Sequence, residues 1–107
     1  MIILDTNVVS EPLKLRPDAG VLAWLSAQLD DLAVTTVTIG ELLTGVEFLP
    51  LGQRRDVLTE AVERVLLTHA LRLDYDERAA RAYAVMQGTA RQAGRGLAVE
   101  DGMIAAI

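Results

Sequence analysis

The sequence predicts an α/β sandwich built on a largely parallel sheet, and the order of elements carries that prediction: strand, helix, strand, two helices, a short strand, then helices. Two patterns support it. The candidate strands are short apolar runs of the kind buried on both faces of a sheet, and the stretches between them repeat apolar residues at helical spacing. With 107 residues, 51% of them apolar, the chain reads as one domain, 1–107, able to bury roughly two-thirds of its unfolded surface.

Met1 to Leu4 is an apolar run stopped by Asp5-Thr6-Asn7, a buried strand delivering polar groups at its carboxyl end. Ser10 to Asp18 holds Pro12 and Pro17 and breaks the chain before a helix that Asp18 caps. Val21, Leu22, Leu25 and Leu29 form the apolar face of that helix, with Trp24 beside it. Leu32 to Thr36 is β-branched enough for a second strand. Ile39, Leu42, Leu43, Val46 and Leu49 then give a helical period ended by Pro50-Leu51-Gly52. A further helix from Gln53 to Thr68 aligns Leu58, Ala61, Val62, Val65 and Leu66. Leu71 to Leu73 is a third, very short strand. Asp74-Tyr75-Asp76-Glu77 resembles a capping box, followed by a helix that packs through Ala79, Tyr83, Met86 and Ala90 and stops at Gly94 and Gly96. Ala98 to Ile107 opens one more helix.

Fifteen acids against ten bases leave a formal charge of −5, so a polyanion needs a metal or a local basic patch to bind here. The absence of cysteine removes disulfides, thiolate zinc sites and cysteine nucleophiles, and suits a reducing cytoplasm. One histidine, His69, cannot form a two-histidine zinc site. The longest uncharged stretch, Ala19 to Leu29, has eleven residues, short of the roughly 18 of a membrane span. Asp5 interrupts the opening apolar run and no basic residue precedes it, which argues against a signal peptide.

In parallel sheets, function gathers at the carboxyl ends of strands. Asp5 follows the first strand, Glu41 lies about one turn into the helix after the second, and Asp101 falls in the first turn of the last helix. Singly, each has a structural reading: Asp5 as a turn residue, Glu41 closing a capping box with Thr38, Asp101 complementing a helix dipole. Jointly they differ. Three carboxylates within ~4 Å of one another would repel by about 4 kcal/mol per pair at an effective dielectric near 20. Three such pairs rival the ~5–15 kcal/mol stability of a domain. A cluster of that kind takes up protons or a cation, and oxygen-only ligands select Mg²⁺ or Mn²⁺.

Ile2-Ile3-Leu4-Asp5-Thr6-Asn7-Val8-Val9-Ser10, then Thr36-Val37-Thr38-Ile39-Gly40-Glu41-Leu42 with Gly45, then Val99-Glu100-Asp101-Gly102-Met103-Ile104-Ala105-Ala106 resemble, in order and approximate spacing, the three successive motifs of PIN-domain ribonucleases. The likeness runs over the whole chain and is greatest to VapC and FitB-type toxins of bacterial toxin–antitoxin pairs. It implies a three-layer α/β/α sandwich with a mainly parallel central sheet. Asp5, Glu41 and Asp101 become the catalytic and metal-holding acids, supported by Thr6, Asn7 and Ser10. The implied activity is Mg²⁺- or Mn²⁺-dependent RNA cleavage by an activated water, leaving 5′-phosphate and 3′-hydroxyl ends. The implied partners are RNA and an inhibiting antitoxin; apolar helices on a small sheet add a second copy of the chain as an expected partner, and composition makes the cytoplasm the expected location. The family's pattern continues past the third motif into further strands, often with a fourth acidic residue, and the sequence stops before it. The expected fold is therefore incomplete at its C-terminal end, with the sheet edge near Asp5 exposed. The competing reading is a PIN-like module that binds a partner without catalysis. An aspartyl-phosphate enzyme of the haloacid-dehalogenase kind is disfavoured, because it needs a second aspartate where Asn7 stands.

Arg54 and Arg55 sit in a helix first turn, where positive charge opposes the macrodipole, so phosphate contact competes with a solvated surface pair. Arg91 and Arg95 flank Gly94 and Gly96, for which a helix stop is the favoured reading. His69 is expected to cap a helix end. Trp24, Phe48, Tyr75 and Tyr83 are too scattered for a base-stacking platform, and Glu100 points about 100 degrees from Asp101 on a helix.

Overall fold

The computed structural model describes residues 1–28, 32–68 and 71–107. Among them three parallel strands form one sheet in the order β1-β2-β3, where β1 is Ile2–Ile3, β2 is Leu32–Thr35 and β3 is Leu71–Leu73. Ile2 pairs with Leu32 and Ile3 with Ala33; on the other side Ala33, Val34 and Thr35 pair with Leu71, Arg72 and Leu73. The central strand is buried along its whole length, as its uncharged sequence predicts. The first strand pairs on one side only, and Ile2 and Ile3 are exposed on that edge.

Among the described residues six helices accompany this sheet: α1 Thr6–Ser10, α2 Ala19–Ala27, α3 Thr36–Glu47, α4 Gln53–Thr68, α5 Glu77–Gln92 and α6 Val99–Ala106, with a 3-10 turn at Glu11–Leu13. The core joins Leu4, Val9, Leu25, Leu32, Val34, Leu42, Val46, Val62 and Leu66. These come from β1's end, β2 and helices α1 to α4. Each fully buried Val or Leu contributes about 1.5–3 kcal/mol of hydrophobic stabilisation. Helices α5 and α6 pack chiefly on each other, and α6 also rests on α3.

The strands and long helices fall where the apolar patterns place them, and Asp18 caps α2 by accepting from the Val21 amide at 3.0 Å. Gly94 does end α5: it adopts φ 72°, and Arg95 N–H reaches Ala90 O at 2.8 Å, a Schellman-type closure. Three expectations shift. Asp5-Thr6-Asn7 opens a short helix, α1, which the periodicity does not reveal. Thr36 leaves the strand for the helix, because the Thr35 hydroxyl accepts from the Thr38 amide and caps α3; the box closed by Thr38 is not the cap. The cap of α5 is Asp76, accepting from Ala79 N–H at 2.9 Å, two residues later than the Asp74 box. The expectations for Leu29 and His69 lie outside the described residues.

Candidate active site

Because β2 runs into α3 with no loop, the second turn of α3 stands at the carboxyl end of the central strand. Thr38 and Glu41, three residues apart, share one face there. β1 ends in the same direction, and Leu4, whose amide donates to Ala33 O at 3.0 Å, hands the chain to Asp5. Asp5 caps α1: its Oδ1 accepts from the Val8 amide at 2.9 Å. One turn of helix then aims Thr6 across at α3. Thr6 Oγ1 donates to Glu41 Oε1 at 2.8 Å and lies 3.2 Å from Thr38 Oγ1.

The first two motifs are thus joined side chain to side chain. Asp5 is exposed and Glu41 half-buried. Asp101 is exposed in the first turn of α6, and the packing of α6 on α3 brings its helix beside that of Glu41. Gly102 lets α6 lie close on α5, since a Cβ there would meet Tyr83 Cε2 at 2.9 Å. Among the described residues, no three acidic or imidazole groups stand near enough together to hold a metal ion. The donor chemistry nonetheless suits a hard divalent cation. Asp5 Oδ2 and Glu41 Oε2 have no hydrogen bond among the described residues, and Mg²⁺ commonly takes only one or two carboxylates, keeping waters and substrate phosphates as its other ligands.

Asn7 is exposed, and its carbonyl accepts from Ser10 Oγ at 3.1 Å, so the Ser10 hydroxyl braces the turn. Arg55 is already paired with Glu47 at 2.7 Å, whereas Arg54 forms no ion pair among the described residues. Glu100 is exposed, as its helical offset from Asp101 predicts.

Two residues near the site have no role in the sequence reading. Glu11 is 8% exposed, bound to Lys14 Nζ at 2.7 Å and to the Asp18 amide at 2.9 Å. The Lys14 hydrogen bond first, and the Asp18 amide second, hold its carboxyl below the ordinary carboxylate value. Lys14 also lines a groove of about 340 Å³ shared with Ser10, Glu41 and the apolar Leu42 and Leu58. The i to i+3 spacing of Glu11 and Lys14 is the signal that marks the pair.

Residues 2–107 match the PIN domain family. Toxin FitB of Neisseria gonorrhoeae is 43% identical over 109 residues, covering 99% of this chain and 78% of that protein. VapC ribonuclease Y4jK of Sinorhizobium fredii is 41% identical, over 99% of this chain and 78% of its own length. In the crystal structure of FitAcB from Neisseria gonorrhoeae, one chain matches with a TM-score of 0.89 and 41% identity, over 99% of this chain and 78% of that one.

Proposed function

The chain belongs to the PIN domain family, and on that premise we propose that it is a metal-dependent endoribonuclease acting as the toxin of a toxin–antitoxin pair. The observation that carries this reading is the 2.8 Å bond from Thr6 to Glu41, which ties the turn after the first strand to the helix after the second. Relatives that bear the names toxin and VapC ribonuclease support it.

Asp5 and Glu41 are the residues that would hold Mg²⁺ or Mn²⁺, with Asp101 contributing from α6. When bound, the cation supplies positive charge that favours ionisation of an attacking water and offsets charge on the phosphoryl oxygens and leaving group. The chain's own contribution is orientation. Val8 N–H fixes one oxygen of Asp5 and the Thr6 hydroxyl fixes one oxygen of Glu41, so each acid keeps one oxygen for the site. Attack of water at phosphorus with departure of the 3′ oxygen leaves 5′-phosphate and 3′-hydroxyl ends.

The partner in this reading is an antitoxin whose segment covers the acids. Leu15 and Val57, both exposed, line a cavity of about 750 Å³ beside Arg54, the kind of apolar surface a protein partner covers. A homodimer and a cytoplasmic location complete the proposal; no helix among the described residues is long and apolar enough to cross a membrane.

The test is RNA cleavage by the purified protein in Mg²⁺ or Mn²⁺. Products with 5′-phosphate ends that vanish in chelator are expected, and cleavage that persists in chelator contradicts the reading. A second reading, partner binding without catalysis, draws on the lack of a three-acid group among the described residues. It predicts no cleavage under any metal.

A further inference from the structure

We propose that Thr38 is a positioning residue that orients Glu41 through a one-way chain of hydroxyl hydrogen bonds. Its purpose rests on the nuclease reading above, but its geometry does not. Thr35 and Thr38 are both fully buried, at 0% exposure. Their hydroxyls and that of Thr6 form a continuous path: Thr35 to Thr38 at 3.4 Å, Thr38 to Thr6 at 3.2 Å, Thr6 to Glu41 at 2.8 Å.

Each hydroxyl has one proton, which settles the direction. Thr6 spends its proton on the carboxylate, the shorter and charge-assisted contact. Thr38 must then donate to Thr6, and with its own proton committed it accepts from Thr35. Thr35 in turn accepts the Thr38 amide at 3.2 Å, which anchors the start of the path to the cap of α3. Every hydroxyl proton therefore points toward Glu41.

The usual behaviour of a helical threonine is different, and this chain shows it. Thr59 and Thr68 in α4 donate to carbonyls four residues back, Arg55 O at 2.7 Å and Arg64 O at 3.0 Å. Thr38 instead reaches across to α1, to a residue 32 positions away. By donating to Thr6 it takes up one of that oxygen's acceptor sites, which leaves the Thr6 proton for Glu41 alone. The Glu41 side chain is thereby held by one oxygen while the other keeps no partner among the described residues.

The experiment compares the wild-type protein with Thr38→Val, Thr38→Ser, Thr6→Val and the double variant Thr6→Val/Thr38→Val. Two readouts are taken: the carboxyl ¹³C resonance of Glu41 in metal-free protein, and Mn²⁺ binding by calorimetry, with thermal melts to monitor folding. Thr38→Val is expected to move the Glu41 resonance and weaken Mn²⁺ binding about 10-fold, as loss of a supporting hydrogen bond does. Thr38→Ser restores both. In the Thr6→Val background the second change adds nothing, because the path is already cut. A Glu41 resonance unmoved by Thr38→Val overturns the proposal, and so does an effect of equal size in the Thr6→Val background. Should Thr38→Val fail to fold, Thr38→Cys carries the same comparisons, its weak donor predicting the same direction. Wild-type protein that binds no Mn²⁺ while the resonance responds as expected overturns the nuclease reading and supports the orientation of Glu41 by Thr38.

Discussion

Thr6 and Glu41, 35 positions apart in the chain, meet in a 2.8 Å hydrogen bond that makes one structure of two motifs. Thr6 is next to Asp5, so the same short helix that Asp5 caps also holds the carboxylate of α3. Local capping and long-range site geometry are therefore coupled, and substitutions at Asp5 can separate them.

Asp5→Asn keeps a good helix cap and removes the charge, whereas Asp5→Ala removes both. Asp5→Asn should melt close to wild type yet lose RNA cleavage. Asp5→Ala should lose cleavage and, in addition, about 1 kcal/mol of stability. Thermal melts beside cleavage rates check this; an Asp5→Asn protein that cleaves RNA at the wild-type rate contradicts it.

Glu11 gives a pH signature. Its carboxyl is held below the ordinary value of 4.5 by Lys14 and the Asp18 amide, so the folded state binds that proton less readily than the unfolded chain. The stability it contributes is fully present above pH 4.5 and is lost as pH falls through the lower folded value. Denaturant melts of wild type and Glu11→Gln between neutral pH and pH 3 should diverge least at the acid end. Equal separation of the two at every pH would show that the carboxylate has no such role.

Gly102→Ala places a Cβ 2.9 Å from the Tyr83 ring. The ring cannot yield by rotating a flexible tip, so α6 or α5 must shift, at a cost of about 1–3 kcal/mol. Adding Tyr83→Leu should recover part of the loss, giving a double variant less destabilised than the sum of the singles. Strict additivity in denaturant melts would refute the contact. Because Asp101 precedes Gly102 on the same helix, cleavage should fall in the single variant and recover in the pair.

What was legible in the sequence follows the physics of each element. β2 and helices α2 to α5 are long or apolar enough for burial to decide their structure, and their patterns show it. Helix α1 has only five residues, two of them β-branched valines, so no period betrays it; the Asp5 cap and the Thr6 bond specify it. The apolar, β-branched run Leu32 to Thr36 reads as strand to its last residue, and the cap at Thr35 turns Thr36 to helix. The burial of Glu11 depends on Lys14 and Asp18 folding back over it, a tertiary event that composition cannot show. For the proposed site, Asp5, Glu41 and Asp101 are legible as motif positions, while the hydroxyl path behind Glu41 is not, since Thr38 reads there as a cap.

The most direct test of the central claim, that the acids of the three motifs act as one site, is the rate of RNA cleavage by Asp5→Asn, Glu41→Gln and Asp101→Asn proteins that fold as the wild type does. Removing a ligand should cost at least as much as removing its support, so each single variant is predicted to fall by roughly 100-fold or more in Mg²⁺ or Mn²⁺. Wild-type cleavage by any one of the three would contradict it.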